Sequence, residues 1–149
     1  MRSEKELGDK GVEFELINLG QVVHSVHDVQ VACKCEASEV IKTLLMIGES
    51  PIMIVLPGDK RANISRIKEF TGEQNLRMAK PAEVLAITGY SVGSVSPFGV
   101  SPSIRQVADN SVRALGSLFM GSGKNDVLIK MGQAEFNKAF RGTFAGISD

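Results

Sequence analysis

The sequence predicts an α/β fold, a single compact domain built on a mixed, mostly antiparallel sheet with helices packed outside. Apolar runs recur in pairs joined by short polar turns, as they do when neighbouring strands pair by hairpins. Too few helical segments fall between those runs for a doubly wound parallel sheet. A length of 149 residues is also the size of one core rather than two.

In chain order, residues 3–10 are polar and predict a short, poorly tied helix that Gly11 ends, and Val12 to Leu19 alternate weakly as a first strand. Ser25-Val26-His27-Asp28 reads as a capping box, with Ser25 at the N-cap and Asp28 reaching back. The helix that follows sets Val26, Val29 and Cys33 on one face, with Cys33 a small core residue and Cys35 at the helix end. Val40–Ile47 and Pro51–Leu56 flank Gly48-Glu49-Ser50 and predict adjacent antiparallel strands buried on both faces. Pro57-Gly58-Asp59 is a turn. Asn63 caps a helix whose buried side is Ile64, Ile67 and Phe70, and Gly72 closes it.

Leu76-Arg77-Met78 makes a short strand, and a helix Pro81–Thr88 is bracketed by Pro81 at its first position, Glu83 in its first turn and Gly89 after its end. A strand is expected over Ile104–Ala108, with a turn at Asp109-Asn110-Ser111. Leu118–Met120 and Val127–Met131 then flank a glycine-rich hairpin, Gly121 to Asp126. Its Gly-Ser-Gly-Lys lacks the first glycine, the final hydroxyl and the following helix of a phosphate loop. A last helix over Gln133–Phe140 buries Phe136, Ala139 and Phe140, with Gly142 as its cap.

Composition narrows function. Lys plus Arg and Asp plus Glu both number 17, so a protein that wraps nucleic acid along its length is not indicated. Charge is nonetheless uneven. Lys60, Arg61, Arg66, Lys68, Arg77 and Lys80 fall within residues 59–80 against three acids. That cluster is either a solvated helix face or a contact for a few phosphates. No apolar run reaches membrane-spanning length, and the polar start lacks a secretory core. Two cysteines cannot make a disulfide framework, so an intracellular, cytoplasmic protein is expected. Cys33 and Cys35 with His24 and His27 do not match zinc spacing, and no metal is expected. Aromatic content of 5% with no Trp argues against a stacking platform for long single strands.

Two features invite chemistry. In Gly89–Gly99, three glycines, three serines and a proline exclude a regular helix, while Val92, Val95 and Phe98 anchor the segment to apolar surface. Such a stretch is either a plain connection or a cradle of N–H groups for a carbonyl or oxyanion. Lys42 interrupts an apolar strand on the side of Leu44 and Met46. It either snorkels into water or holds its ammonium at the lip of a pocket. No Ser-His-Asp or Cys-His set is evident.

Val40-Ile41-Lys42-Thr43-Leu44, Pro57-Gly58-Asp59-Lys60-Arg61, Gly93-Ser94-Val95-Ser96-Pro97-Phe98-Gly99 and Gly121-Ser122-Gly123-Lys124, in this order, resemble the YbaK family of aminoacyl-tRNA deacylases. That family is related to the editing domain inserted in bacterial prolyl-tRNA synthetase, and the similarity runs from about Val12 to Phe140. The resemblance implies a compact β-barrel-like sheet with external helices, and one editing domain over residues 1–149. It implies hydrolysis of the ester on a mischarged tRNA, commonly Ala-tRNA(Pro) or Cys-tRNA(Pro), without a cofactor.

By the same resemblance Lys42 and Gly93 are the catalytic pair. Lys42 binds the phosphate or 2′-OH region of the terminal adenosine, and Gly93 with its neighbours holds the aminoacyl carbonyl and amine. Thr43, Ser94, Val95, Ser96, Pro97, Phe98, Gly99, Gly121, Ser122, Gly123 and Asp126 are the implied substrate contacts. Lys60, Arg61, Lys80 and Lys124 are the implied tRNA contacts. The expected partners are a mischarged tRNA acceptor end and an aminoacyl-tRNA synthetase, with no membrane. The alternative is a non-catalytic module that holds tRNA ends or nucleotides in the same pocket. A hydrolase of small free esters is a third reading. One departure stands out: members often end the first helix with Leu-Gly, where this chain has Cys33-Lys34-Cys35.

Overall fold

A computed structural model describes all residues, 1–149. The helices are α1 (Arg2–Asp9), α2 (Val26–Cys33), α3 (Ile64–Thr71), α4 (Pro81–Thr88) and α5 (Gln133–Ala139), with 3-10 turns at Ala37–Glu39 and Asn110–Ala114. The strands are β1 (Glu15–Asn18), β2 (Ile41–Ile47), β3 (Pro51–Pro57), β4 (Arg77–Met78), β5 (Arg105–Asp109), β6 (Ser117–Gly121), β7 (Val127–Gly132) and β8 (Thr143–Ala145).

The strands form two sheets, a three-stranded one in the order β1-β7-β6 and a five-stranded one in the order β4-β2-β3-β5-β8. Pairing is mixed: β2 is antiparallel to β3 and β4, β7 to β1 and β6, while β5 runs parallel to β3 and β8. The expected barrel does not close. The two sheets are bridged at Val40 with Phe119, a single parallel bridge, and no ladder continues from it between β2 and β6. No helix is long and apolar enough to cross a membrane.

β3 explains the packing. Ile52, Ile54 and Leu56 enter a cluster with Met46, Ile67 and Val107, whereas Met53 and Val55 face the opposite way. The central sheet is therefore buried on both faces, as the continuous apolar runs require. The opposite side holds the main core, where Phe98, Phe136 and Phe140 pack ring against ring with Leu118, Met120 and Ile129.

Several expectations change. Helix α1 is firmly tied: Ser3 and Leu7 are fully buried, and Ser3 Oγ donates to the carbonyl of Ser122. Arg2 donates to the carbonyl of Thr88 and lies over the Tyr90 ring, and Glu6 accepts from the Gly99 N–H. Its polar sequence is spent on a neighbouring loop rather than on water. In α3 only Ile67 is buried, in the cluster with Met46, Ile52 and Ile54, whereas Ile64 and Phe70 are exposed. Ser25 caps α2 as expected, but Asp28 accepts from the N–H of His24, one residue further back. Lys34 takes the left-handed position at the α2 end, with φ of 53°, the one residue other than glycine with positive φ.

Helix α5 stops at Ala139. Phe140 leaves in an extended conformation, so Gly142 is not a cap. Instead Gly142 lets the chain pass close to Gln106, leading into β8, which the sequence pattern did not announce.

Two stability tests follow. Gly72 and Gly99 both have positive φ, 80° and 75°, but a Cβ on Gly72 meets nothing while one on Gly99 runs into Tyr90, Ser3 and Arg2. Gly72→Ala should cost only the left-handed strain, about 1–2 kcal/mol, and Gly99→Ala about 2–5 kcal/mol once overpacking is added; urea denaturation of both variants measures the difference.

Asp109 anchors the C-terminal segment: Oδ1 accepts from the N–H of Ile147 and of Ser148, and Oδ2 accepts from Ser111. Burial by itself would raise its carboxyl, but those hydrogen bonds outweigh it and hold the pKa below the ordinary 3.8. A depressed carboxylate contributes stability above its unfolded pKa and loses it as pH falls through the folded value. Asp109→Asn should therefore be less stable than wild type at pH 7 by about 1–3 kcal/mol, with the gap closing below the ordinary aspartate range when unfolding is followed against pH.

Candidate active site

The free edge of β2 makes the site. β4 covers that edge only at Met46 and Ile47, and the bridge to β6 covers it only at Val40. Leu45 C=O accepts from Ala79 N–H at 2.9 Å on this edge. Alternate residues of an extended strand present their main-chain groups to the same side, so Thr43 N–H and C=O face the gap as well. The gap opens into a cavity of about 420 Å³.

Its walls come from distant parts of the chain: the entry to α2, the start of α4, the loop after α4, and β6 with β7. Most of the lining is apolar, including Val26, Val29, Val84, Phe119 and Leu128. A volume of this kind suits a small ligand gripped by few polar groups.

Lys42 lies at this edge, half-buried, opposite Leu56 and on the same side of β2 as Leu44 and Met46, as the alternation predicts. Burial lowers its pKa; nearby Asp59 pulls it back up and Arg61 pushes it further down. Thr43, one residue on, points to the other side. Its hydroxyl is sealed from water and has no hydrogen-bond partner.

The loop after α4 supplies Val92, Gly93 and Val95 to the wall. Ser94 N–H and Oγ both bond back to the Ser91 carbonyl, whereas the N–H groups of Gly93 and Val95 find no partner in the protein. Gly93 has φ of 94°. With the N–H of Val92, also without a partner, these are unspent donors on residues of an apolar cavity wall, a kind of arrangement that can stabilise a developing oxyanion.

Other expected contacts stand behind the wall. Ser96 Oγ accepts from Phe98 N–H, the Pro97 carbonyl accepts from Gln106, Phe98 is core, and Gly99 packs on α1. Gly121 lines the cavity, and a Cβ there would strike the carbonyls of Ser94 and Val95. Ser122 Oγ donates to the Val127 carbonyl, and Gly123 N–H donates to Ser94 C=O while the residue lies against the Tyr90 ring. Asp126 contributes its carbonyl, which accepts from Leu19 N–H.

None of Lys60, Arg61, Lys80 and Lys124 lines the cavity. Lys80 directly precedes the lining residue Pro81, and Arg61 is close enough to act on Lys42. Cys33 and Cys35 are partly buried free thiols, and burial pushes both pKa values up. Sequence reasoning missed His24 and the valines of α2 and α4, because a wall assembled across the chain leaves no local pattern.

A family model for the aminoacyl-tRNA editing domain matches residues 21–139. The chain belongs to the aminoacyl-tRNA editing domain family. Proline–tRNA ligase of Thermotoga sp. (strain RQ2) is 34% identical over 105 residues, 70% of this chain and 18% of the ligase. Proline–tRNA ligase of Latilactobacillus sakei is 29% identical over 119 residues, 79% of this chain and 21% of that protein. The chain thus spans about a fifth of the length of these ligases.

A solved structure of a hypothetical protein, APE2540, superposes with a TM-score of 0.93 at 28% identity, covering 100% of both chains. A candidate trans-editing enzyme for prolyl-tRNA synthetase has the same fold, with a TM-score of 0.90 at 19% identity over 99% of this chain and 95% of its own.

The sealed hydroxyl gives a test of the cavity in its free state. Thr43→Val keeps the shape and removes an unpaired polar atom, so the ligand-free protein should be unchanged or more stable by about 1 kcal/mol; chemical denaturation measures it.

Proposed function

We propose that residues 1–149 act as one editing domain that hydrolyses the ester of a mischarged tRNA, with Ala-tRNA(Pro) or Cys-tRNA(Pro) as substrate. The observation that carries this reading is the pairing of one half-buried cation, Lys42, with the free N–H groups of Gly93 and Val95 around a small apolar cavity. An aminoacyl ester is already activated. It needs a placed nucleophile and a home for the charge that develops on its carbonyl oxygen.

In this reading Lys42 takes the phosphate or 2′-OH region of the terminal adenosine. The Gly93 and Val95 N–H groups take the carbonyl oxygen, and the apolar wall takes the amino-acid side chain. Lys60, Arg61, Lys80 and Lys124 contact the acceptor stem outside. A difference of one methylene is worth only about 1–3 kcal/mol in an apolar pocket, which is why a second, smaller sieve is useful after a synthetase. Similarity to a segment of proline–tRNA ligases supports the choice of tRNA.

Deacylation of Ala-tRNA(Pro), Cys-tRNA(Pro) and correctly charged Pro-tRNA(Pro) tests the proposal. One mischarged ester should be cleaved and Pro-tRNA(Pro) spared, and Lys42→Ala should lower the rate about 10²–10³-fold. Binding of these tRNAs without turnover would favour a non-catalytic module, and equal cleavage of free amino-acid esters a small-ester hydrolase.

A further inference from the structure

We infer that the open edge of β2 pairs with the aminoacyl group of the substrate as though that group were one residue of an added strand. The inference rests on the editing reading above and adds how the amino acid is held. Alternation along β2 sorts its main-chain groups. Gly58 N–H donates to the Val40 carbonyl at 2.6 Å, so Lys42, Leu44 and Met46 turn their N–H and C=O toward β3. The residues between them turn theirs to the other edge, where Ala79 N–H takes the Leu45 carbonyl. Between the bridge at Val40 and that bond, Thr43 has no strand opposite it and no other main-chain partner.

The window is narrow. β6 closes it on one side and β4 on the other, which leaves room for a single N–Cα–C=O unit and not for a peptide laid along the edge. Residues that face each other in a hydrogen-bonded antiparallel pair exchange both bonds, N–H to C=O each way. An aminoacyl ester carries the same two groups. Its amine donates to the Thr43 carbonyl, and its carbonyl accepts from the Thr43 N–H. That carbonyl oxygen has two lone pairs, so it takes Thr43 on one and the loop donors on the other.

The surroundings agree. No carboxylate lines the cavity, so an amine entering it has to be met by neutral oxygens, and an unpaired main-chain carbonyl is one that gains from the contact. Residues paired across strands also share a face. The amino-acid side chain therefore lies on the Thr43 side of β2, against Leu45, Val84 and Val95, which pack together and line the cavity. Lys42 projects to the opposite face, which keeps its ammonium away from that of the substrate.

Hydrogen exchange followed by nuclear magnetic resonance on the whole chain reads this edge directly. In the free protein the Thr43 amide should exchange about tenfold or more faster than those of Lys42 and Leu44, which β3 holds. The probes are 3′-deoxy-3′-(L-alanylamino)adenosine and its cysteinyl counterpart, stable amides in place of the ester. Saturation with the one that matches the ester cleaved should slow Thr43 exchange about tenfold or more. The propionylamino analogue, which differs from the alanyl one only in lacking the amine, should bind about 10–100-fold more weakly.

A Thr43 amide as slow as its neighbours in the free protein, or unchanged once the analogue is bound, overturns the inference. So does a propionyl analogue that binds within about three-fold of the alanyl one. The amides keep both groups that the pairing uses, so failure to bind a chain that cleaves the matching ester overturns it as well. In each of these cases cleavage of Ala-tRNA(Pro) or Cys-tRNA(Pro) leaves the editing function standing. If the chain cleaves neither ester, the editing reading fails and this inference with it.

Discussion

The buried part of an irregular loop must find partners for its main-chain polar groups, and this protein is arranged around meeting that demand for residues 94–99. The solution draws on side chains and on distant parts of the chain. Gly123 N–H reaches Ser94 C=O, Gln106 reaches the Pro97 carbonyl, and the Tyr90 hydroxyl reaches the Phe98 carbonyl. Helix α1 completes the set from behind, with Glu6 accepting from Gly99 and Arg2 reaching the end of α4. The N–H groups of Gly93 and Val95, which line the cavity, are among those left without a protein partner, together with Ser91, Val92 and Ser96.

The same economy shows in the sheet. Had β4 extended along all of β2, or had β6 followed β2 past Val40, the edge at Thr43 would have been paired. A two-residue β4 and a single bridge leave that edge open. The place where sheet pairing fails is where a small polar ligand can find main-chain groups set in apolar surroundings. The unpaired edge and the cavity are one fact.

Much of this was legible in the sequence because the signals were local. The paired apolar runs gave β2 and β3, Pro81 and Gly89 bracketed α4, and the glycine-serine stretch marked the loop. Lys42 stood out because a charge inside an apolar run has to be explained. What was not legible depended on distant neighbours. Helix α1 looked loose since its polar residues serve a loop some ninety positions away, as the Glu6 to Gly99 contact shows. β8 is too short to show a period and exists because β5 offers it an edge. Of the segment expected to contact substrate, Ser96 to Gly99 hold the loop while Gly93 and Val95 line the cavity, a division that depends on neighbours far away in the chain.

Holding the loop by glycine clearances and main-chain contacts divides labour within the wall. Gly99, Gly121 and Gly123 are pinned by close approach to their neighbours, and any side chain there collides. Val92 is exposed and Val95 only partly buried, and neither carries those contacts. Selection, or an engineer, can therefore vary these cavity-lining letters while the frame that shapes the pocket stays constant. Such a cavity can change its size and shape through intermediates that all remain folded, which is a route to many specificities from one scaffold.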